Sequence, residues 1–318
     1  MTREDRVNKD KKRFLKRTTK RNIFCACVLA LPVLQFLIFY VYINFNSFIL
    51  AFQSYRLNTS GIGYITTFAG FDNFKVAISK IAQSGYMFRY SLIAYACSLF
   101  IGITFAMLFS FYLYKKSIGS EFFRVILFLP QIIASIALVL LYKTIVDSVY
   151  PEILRNAGNA NAIGLLSDPK TKFTAVLVYN VFMGFGVNVL LFSGAMSGIN
   201  QSIVESAKLD GAGTVQEFIH ITIPMIYPTL VTFIVVGMAG VFTNQMNLLS
   251  FFGADSTDIS TIGYFLYTQA SRSDLVSPPI NFLSYSQLSA MGIILTLIVI
   301  PLTLITRKLL EKLGPSAD

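Results

Sequence analysis

Apolar residues fall along the chain in long unbroken runs, not in the alternation of a half-buried strand. A membrane-spanning helix needs about 20 such residues. Six runs qualify: 23–43, 91–113, 125–146, 173–192, 229–251 and 288–305. They predict an all-α membrane protein of six transmembrane helices. Pro32 and Pro130 lie inside the first and third runs and are expected to kink them. A membrane helix tolerates this where neighbours satisfy the freed carbonyl. The first run exceeds the roughly 7–15-residue apolar core of a secretory signal, so it reads as a retained span.

Composition sharpens this picture. Of 318 residues, 54% are hydrophobic and 13% charged, against about 25% charged in soluble proteins. Mean hydropathy is +0.63. The net charge of +10 is no nucleic-acid signal, because ten of the 26 Lys and Arg residues lie between Arg3 and Arg21. Residues 1–22 therefore read as a basic cytoplasmic tail, suited to anionic lipid, and 23–318 as the membrane domain. Six spans put both termini on one side. With cytoplasmic ends, 17 cations face the cytoplasm and 9 face outside. The tail supplies that bias, since without it the counts are 7 and 9.

Candidate chemistry is sparse. Cys25, Cys27 and Cys97 sit in apolar stretches without metal-ligand spacing and read as small buried residues. His220 is the only histidine and reads as a surface or packing residue. Lys143 and Arg89 fall near span ends, where they can reach the interface. An ion-driven carrier usually keeps an acid or base near the midplane. No such group is evident, so the path suits a neutral, hydroxylated solute. Gln131 and Ser135 near the third-run kink, Asn180 and Asn188 in the fourth run, and Asn244, Gln245 and Asn247 in the fifth are candidate path residues. The alternative for each is a hydrogen bond between helices.

Long external loops are expected at about 46–90, 147–172 and 252–287, the last with Asp255, Asp258, Asp274 and Pro278-Pro279. The cytoplasmic loop at about 193–228 is more regular. Ser202 and Glu205 have capping-box spacing, as do Thr214 and Glu217. Gly211 suits the left-handed position that ends a helix, and Gly213 adds freedom to the bend. Val215, Phe218, Ile219 and Ile223 give the second helix an apolar stripe, and Pro224 and Pro228 mark the start of the fifth span. The loop thus reads as two short helices about a Gly-Ala-Gly bend. A membrane-surface helix would carry a Lys- and Arg-rich face. This loop sets Lys208 against Glu205, Asp210 and Glu217, which better suits docking in a protein cleft.

These residues carry a resemblance. Glu205-Ser206-Ala207, three residues, Gly211, nine residues, then Ile221-Thr222-Ile223-Pro224 resembles the EAA loop of binding-protein-dependent ABC importer permeases. Ser206 replaces an Ala and Ile223 a Leu. Asp210-Gly211-Ala212 resembles the sugar-permease version. Phe68-Ala-Gly-Phe-Asp-Asn-Phe74, Arg124–Pro130, Thr261–Tyr267 and Tyr285–Ala290 are similar to further family segments. Asn200 stands where the family often has Pro, the fourth span lacks the common Trp, and Gly253-Ala254-Asp255 replaces a Gly-Gly-Pro.

The resemblance implies the type I ABC importer permease fold with the coupling loop, about 198–226, between spans 4 and 5. It implies the carbohydrate-uptake branch, of maltose and glycerol-phosphate type, in the bacterial plasma (inner) membrane. Glu205, Ser206, Ala207, Asp210, Gly211, Ala212, Ile221 and Pro224 would then couple to a partner ATPase that binds ATP and Mg. This chain has no G-x-x-x-x-G-K-[ST] phosphate loop, and neither a cofactor nor a metal of its own is expected. Expected partners are a second, different permease subunit, two ATPase subunits and an extracellular solute-binding protein. The alternatives are a same-fold permease for a peptide, amino acid or phosphate ester, and an ATP-independent carrier.

Overall fold

The computed structural model describes residues 20, 22–57, 64–254, 258–272 and 283–315. The basic tail, except Lys20 and Asn22, and Asp255, Asp274 and Pro278-Pro279 lie outside the described residues. Helix α1 spans Asn22–Ala51. It leads into a two-stranded antiparallel hairpin, β1 (Gln53–Leu57) and β2 (Tyr64–Phe68), in which Gln53 faces Phe68. Helix α2, Asp72–Gln83, follows the hairpin, and α3 is Gly85–Tyr114. Next come α4 (Ser120–Ile132), α5 (Ser135–Asn156) and α6 (Lys172–Ser197). The short α7, Gln201–Leu209, precedes α8, Thr214–Ala239. Two short helices, α9 (Leu248–Phe252) and α10 (Ile262–Arg272), lead to α11, Tyr285–Leu313.

Among the described residues, five helices, α1, α3, α6, α8 and α11, are long and apolar enough to cross a membrane; the number is six when bent α4 and α5 count as one span. None of the most apolar stretch of α1 is buried against the rest of the chain. Cys25 and Cys27 lie on it and are exposed, contrary to their expected burial, and Cys97 is half-buried. A span that faces outward meets lipid or another subunit, so an apolar thiol suits an exposed position there as well as a core.

Two expected spans differ from straight helices. The third, expected over 125–146, breaks at Ile133 and Ala134, whose backbones are extended, and turns by 101° between α4 and α5. Pro130 continues helically, so the break falls three residues after it. The fifth, expected over 229–251, ends at Gly240. At the other end, the loop's second helix and the fifth span are one continuous helix. It passes Pro224 and Pro228 unbroken. A wide turn over Phe218–Thr222 precedes Pro224 and gives its ring room against the previous turn.

Packing divides between the two ends of the bundle. At the loop end, Met107 and Phe111 of α3, Phe192 and Met196 of α6, Val204 of α7 and Ile226 of α8 form one core. At the hairpin end, Ala51, Ala77, Met87, Ile262, Phe265 and Met291 form another. Between them, Val139, Tyr179, Met246, Phe251 and Tyr264 pack around the two breaks.

Candidate functional site

The two helix breaks meet. After α8, the chain takes the left-handed conformation at Met246 and Asn247, with φ of 51° and 54°. Neither is glycine, so the surroundings must hold them there. The Asn244 side chain accepts a hydrogen bond from the Met246 amide at 2.8 Å. Asn180, from the middle of α6, donates to the Met246 carbonyl at 2.9 Å and the Val176 carbonyl at 2.8 Å. Asn247 in turn donates to the Asn180 side-chain oxygen at 2.8 Å. Ser135, the first residue of α5, donates to Asn247 Oδ1 at 3.5 Å. Gln131, in the last turn of α4, donates to the Met183 carbonyl of α6 at 2.9 Å. Thr261 donates to the Asn244 carbonyl at 2.8 Å and so ties the start of α10 to the same segment.

Five of the seven candidate path residues, Gln131, Ser135, Asn180, Asn244 and Asn247, thus join or border one set of neutral hydrogen bonds. The amides expected inside the fifth span are instead part of its break. Non-helical backbone at membrane depth persists only where protein or a polar cavity satisfies it. Asn244 is exposed, Gln245 half-buried, and Asn188 half-buried on α6 apart from this set. Gln131 and Ser135 are exposed. Two glycines permit the close packing here. A side chain on Gly186 would strike the Leu127 carbonyl, and one on Gly263 the Thr243 backbone. Sequence alone assigns Gly263 no such role.

At the other end of α8 lies the two-helix loop. Asn200 caps α7, its side chain accepting from the Ser202 amide at 3.1 Å. The expected Ser202–Glu205 capping box is therefore absent, because the helix starts two residues earlier than that spacing requires. Glu205 is exposed and free of that local task. Gly211 has φ +84°, as a helix-ending residue should. The amide of Gly211 donates to Lys208 at 3.1 Å and that of Ala212 to Ala207 at 2.9 Å, which closes the helix with a paired Schellman turn. Gly213 is extended and needs no special freedom. The expected Thr214–Glu217 box is also absent. Gln216 caps instead, accepting from the Gly213 amide at 2.9 Å.

The outer face of the loop is apolar and acidic. Leu209 is 88% exposed and Val215 70%, beside exposed Glu205, Ser206 and Asp210. Ala207, Ala212, Ile221 and Pro224 are half-buried. Glu217 turns the other way. It is 2% exposed and pairs with Lys115 at the end of α3, at 2.6 Å. Residues 102 apart in sequence meet there, and no local spacing announces the pair. His220 lies exposed, its ring 3.2 Å from the Gln216 carbonyl. Among the described residues, no three of His, Cys, Asp and Glu gather as a metal site requires.

Known proteins share this architecture. Residues 98–317 match the family model described as "Binding-protein-dependent transport system inner membrane component". The chain is 34% identical over 161 residues to "Probable ABC transporter permease protein MG188" of Mycoplasma genitalium, covering 49% of this chain and 48% of that relative. It thus spans about half the length of that relative. It is 25% identical over 289 residues to "Arabinooligosaccharides transport system permease protein AraP" of Bacillus subtilis, covering 87% of this chain and 85% of the relative. A solved structure, of a bacterial alginate ABC transporter in complex with an alginate pentasaccharide-bound periplasmic protein, superposes with a TM-score of 0.69 at 20% identity. It covers 91% of this chain and 94% of the matched one. The broken spans, the exposed two-helix loop and the match over 98–317 lead to one assignment: the chain belongs to the binding-protein-dependent transport system inner membrane component family, the multi-pass membrane permeases of ABC transporters.

Proposed function

We propose that this chain is one permease subunit of an ATP-driven importer for a carbohydrate, an oligosaccharide by preference. The observation that carries the reading is the two-helix loop. It presents an exposed apolar and acidic face on a rigid extension of α8, the form needed to follow a moving partner. That partner is an ATPase subunit, which supplies the ATP and Mg. Glu205, Ser206, Ala207, Asp210, Gly211 and Ala212 make the docking turn, and Ile221 and Pro224 begin the lever that carries its motion into the membrane. A second, different permease completes the path, and a solute-binding protein delivers solute at the hairpin end.

The solute reading rests on the helix breaks and on the named relatives. Hydroxyl-rich solutes exchange hydrogen bonds with amides and hydroxyls without a charge partner. Gln131, Ser135, Asn244, Gln245 and Asn247 supply such groups, Asn180 holds the break in shape, and Asn188 extends the polar surface along α6. When the ATPase subunits close, the loop moves and the broken spans rearrange around the solute, a coupling between two separate sites.

The test is gentle affinity purification of the tagged chain from its own membranes with mass spectrometry. A sister permease and a P-loop ATPase in fixed ratio are expected. A chain that purifies alone in the same detergent, with no ATPase activity in the eluate, would overturn the reading.

A further inference from the structure

The Lys115–Glu217 pair has no counterpart in the docking face or in the solute path. Glu217 lies opposite Val215 and Ile219 on its helix, since a step of two residues turns the helix by about 200°. Val215 and Ile219 face outward. Glu217 and Phe218 face α3. Both Glu217 carboxylate oxygens accept from Lys115 Nζ, at 2.7 and 2.6 Å. The Glu217 side chain is 3% exposed and that of Lys115 23%. One turn earlier on α3, the Phe111 ring lies 4.8 Å from that of Phe218 and 5.6 Å from Lys115 Nζ. Lys115 also sits at the carbonyl end of α3, where a cation is favoured.

The first turn of α8 is therefore held between an outward face and α3. An apolar pair would hold two helices together equally well. A buried ion pair adds register, because sliding by a turn leaves either charge unpaired at a large cost. We propose that Lys115 and Glu217 are positioning residues that latch the two-helix loop to the inner end of α3, so that α3 and α8 move as one body when the loop is displaced. This rests on the ATP-coupled reading given above.

The test uses the assembled complex, with Cys25, Cys27 and Cys97 replaced by Ser and spin labels at two pairs of exposed positions. The pair Ser202 and Thr66 reports movement of the loop against the hairpin end. The pair Ser202 and Ile118 reports movement of the loop against the end of α3. The probe is a non-hydrolysable ATP analogue with Mg. In the wild-type complex the analogue is expected to shift the first distance and leave the second unchanged. In K115M and in E217Q the second distance should also shift, by about 2 Å or more, while K115R behaves as wild type. The double variant K115M/E217Q should shift no more than either single variant, because the two residues act as one unit.

A second distance that stays fixed in both single variants, with the first still responding, would overturn the latch alone. A first distance that ignores the analogue in the wild-type complex would overturn the coupling reading on which the latch rests.

Discussion

Helix α8 is interrupted at both ends, and the two interruptions are built differently. At the loop end the bend uses glycine at φ +84°, side-chain caps and a paired hydrogen-bonded turn. Its chemistry faces outward. At the membrane end the bend places Met246 and Asn247 in the left-handed region and holds them with Asn180, Asn244 and Thr261. Its chemistry faces inward, onto itself. The solvent on each side accounts for the difference. Water satisfies what the loop leaves open, so carboxylates such as Glu205 stay available for a partner. The membrane satisfies nothing, so every freed backbone group needs a side chain from the same protein.

The largest effect that would break this contrast comes from Asn180→Leu. It orphans the Met246 carbonyl and the Asn247 amide at once, each worth about 1–3 kcal/mol when left unpaired. Uptake in cells is expected to fall about 100-fold, with the amount of assembled complex unchanged. Near-normal uptake would mean that the break does not depend on its amides.

Gly211→Ala comes next. Nothing lies within 4 Å of the added carbon, so the cost is the left-handed backbone alone, about 1–2 kcal/mol. Solute moved per ATP is expected to fall several-fold in reconstituted vesicles. Gly213→Ala, at an extended residue, serves as the silent control.

Glu205→Gln should act only on the partner. A few-fold weaker binding of the ATPase to the permease, measured by titration, is expected without change in thermal stability. A fall in stability instead would return Glu205 to a local role. The smallest contrast is between caps. Asn200→Ala should destabilise the start of α7 by about 1 kcal/mol, read as faster amide exchange over 201–204, and Ser202→Ala should leave it unchanged.

Those last two variants also show where the sequence was legible. Long apolar runs locate the spans because the membrane demands them wherever a helix crosses. The left-handed Gly211 could be read because only one residue type fits it cheaply. The cap was misread because Ser202–Glu205 has the spacing of a capping box, while Asn200, an equally good cap, stands two residues earlier. The breaks after Ile132 and Ala239 were not legible in position. Pro130 announces a disturbance, but its site is set by bonds to α6. Likewise Asn244–Asn247 sit in a run apolar enough to pass as helix, and the bonds that hold their break include those of Asn180, more than sixty residues away. The Lys115–Glu217 pair was hidden for the same reason: alone, Lys115 looks like a solvated loop charge and Glu217 like half of a capping box.

The most direct test of the central claim is transport by the purified complex in sealed vesicles. A panel of labelled oligosaccharides would be offered with the proposed solute-binding protein, with and without ATP on the side of the two-helix loop. Accumulation that requires both ATP and the binding protein is the predicted result. Uptake by this chain alone, without ATP and driven by an ion gradient, would contradict it.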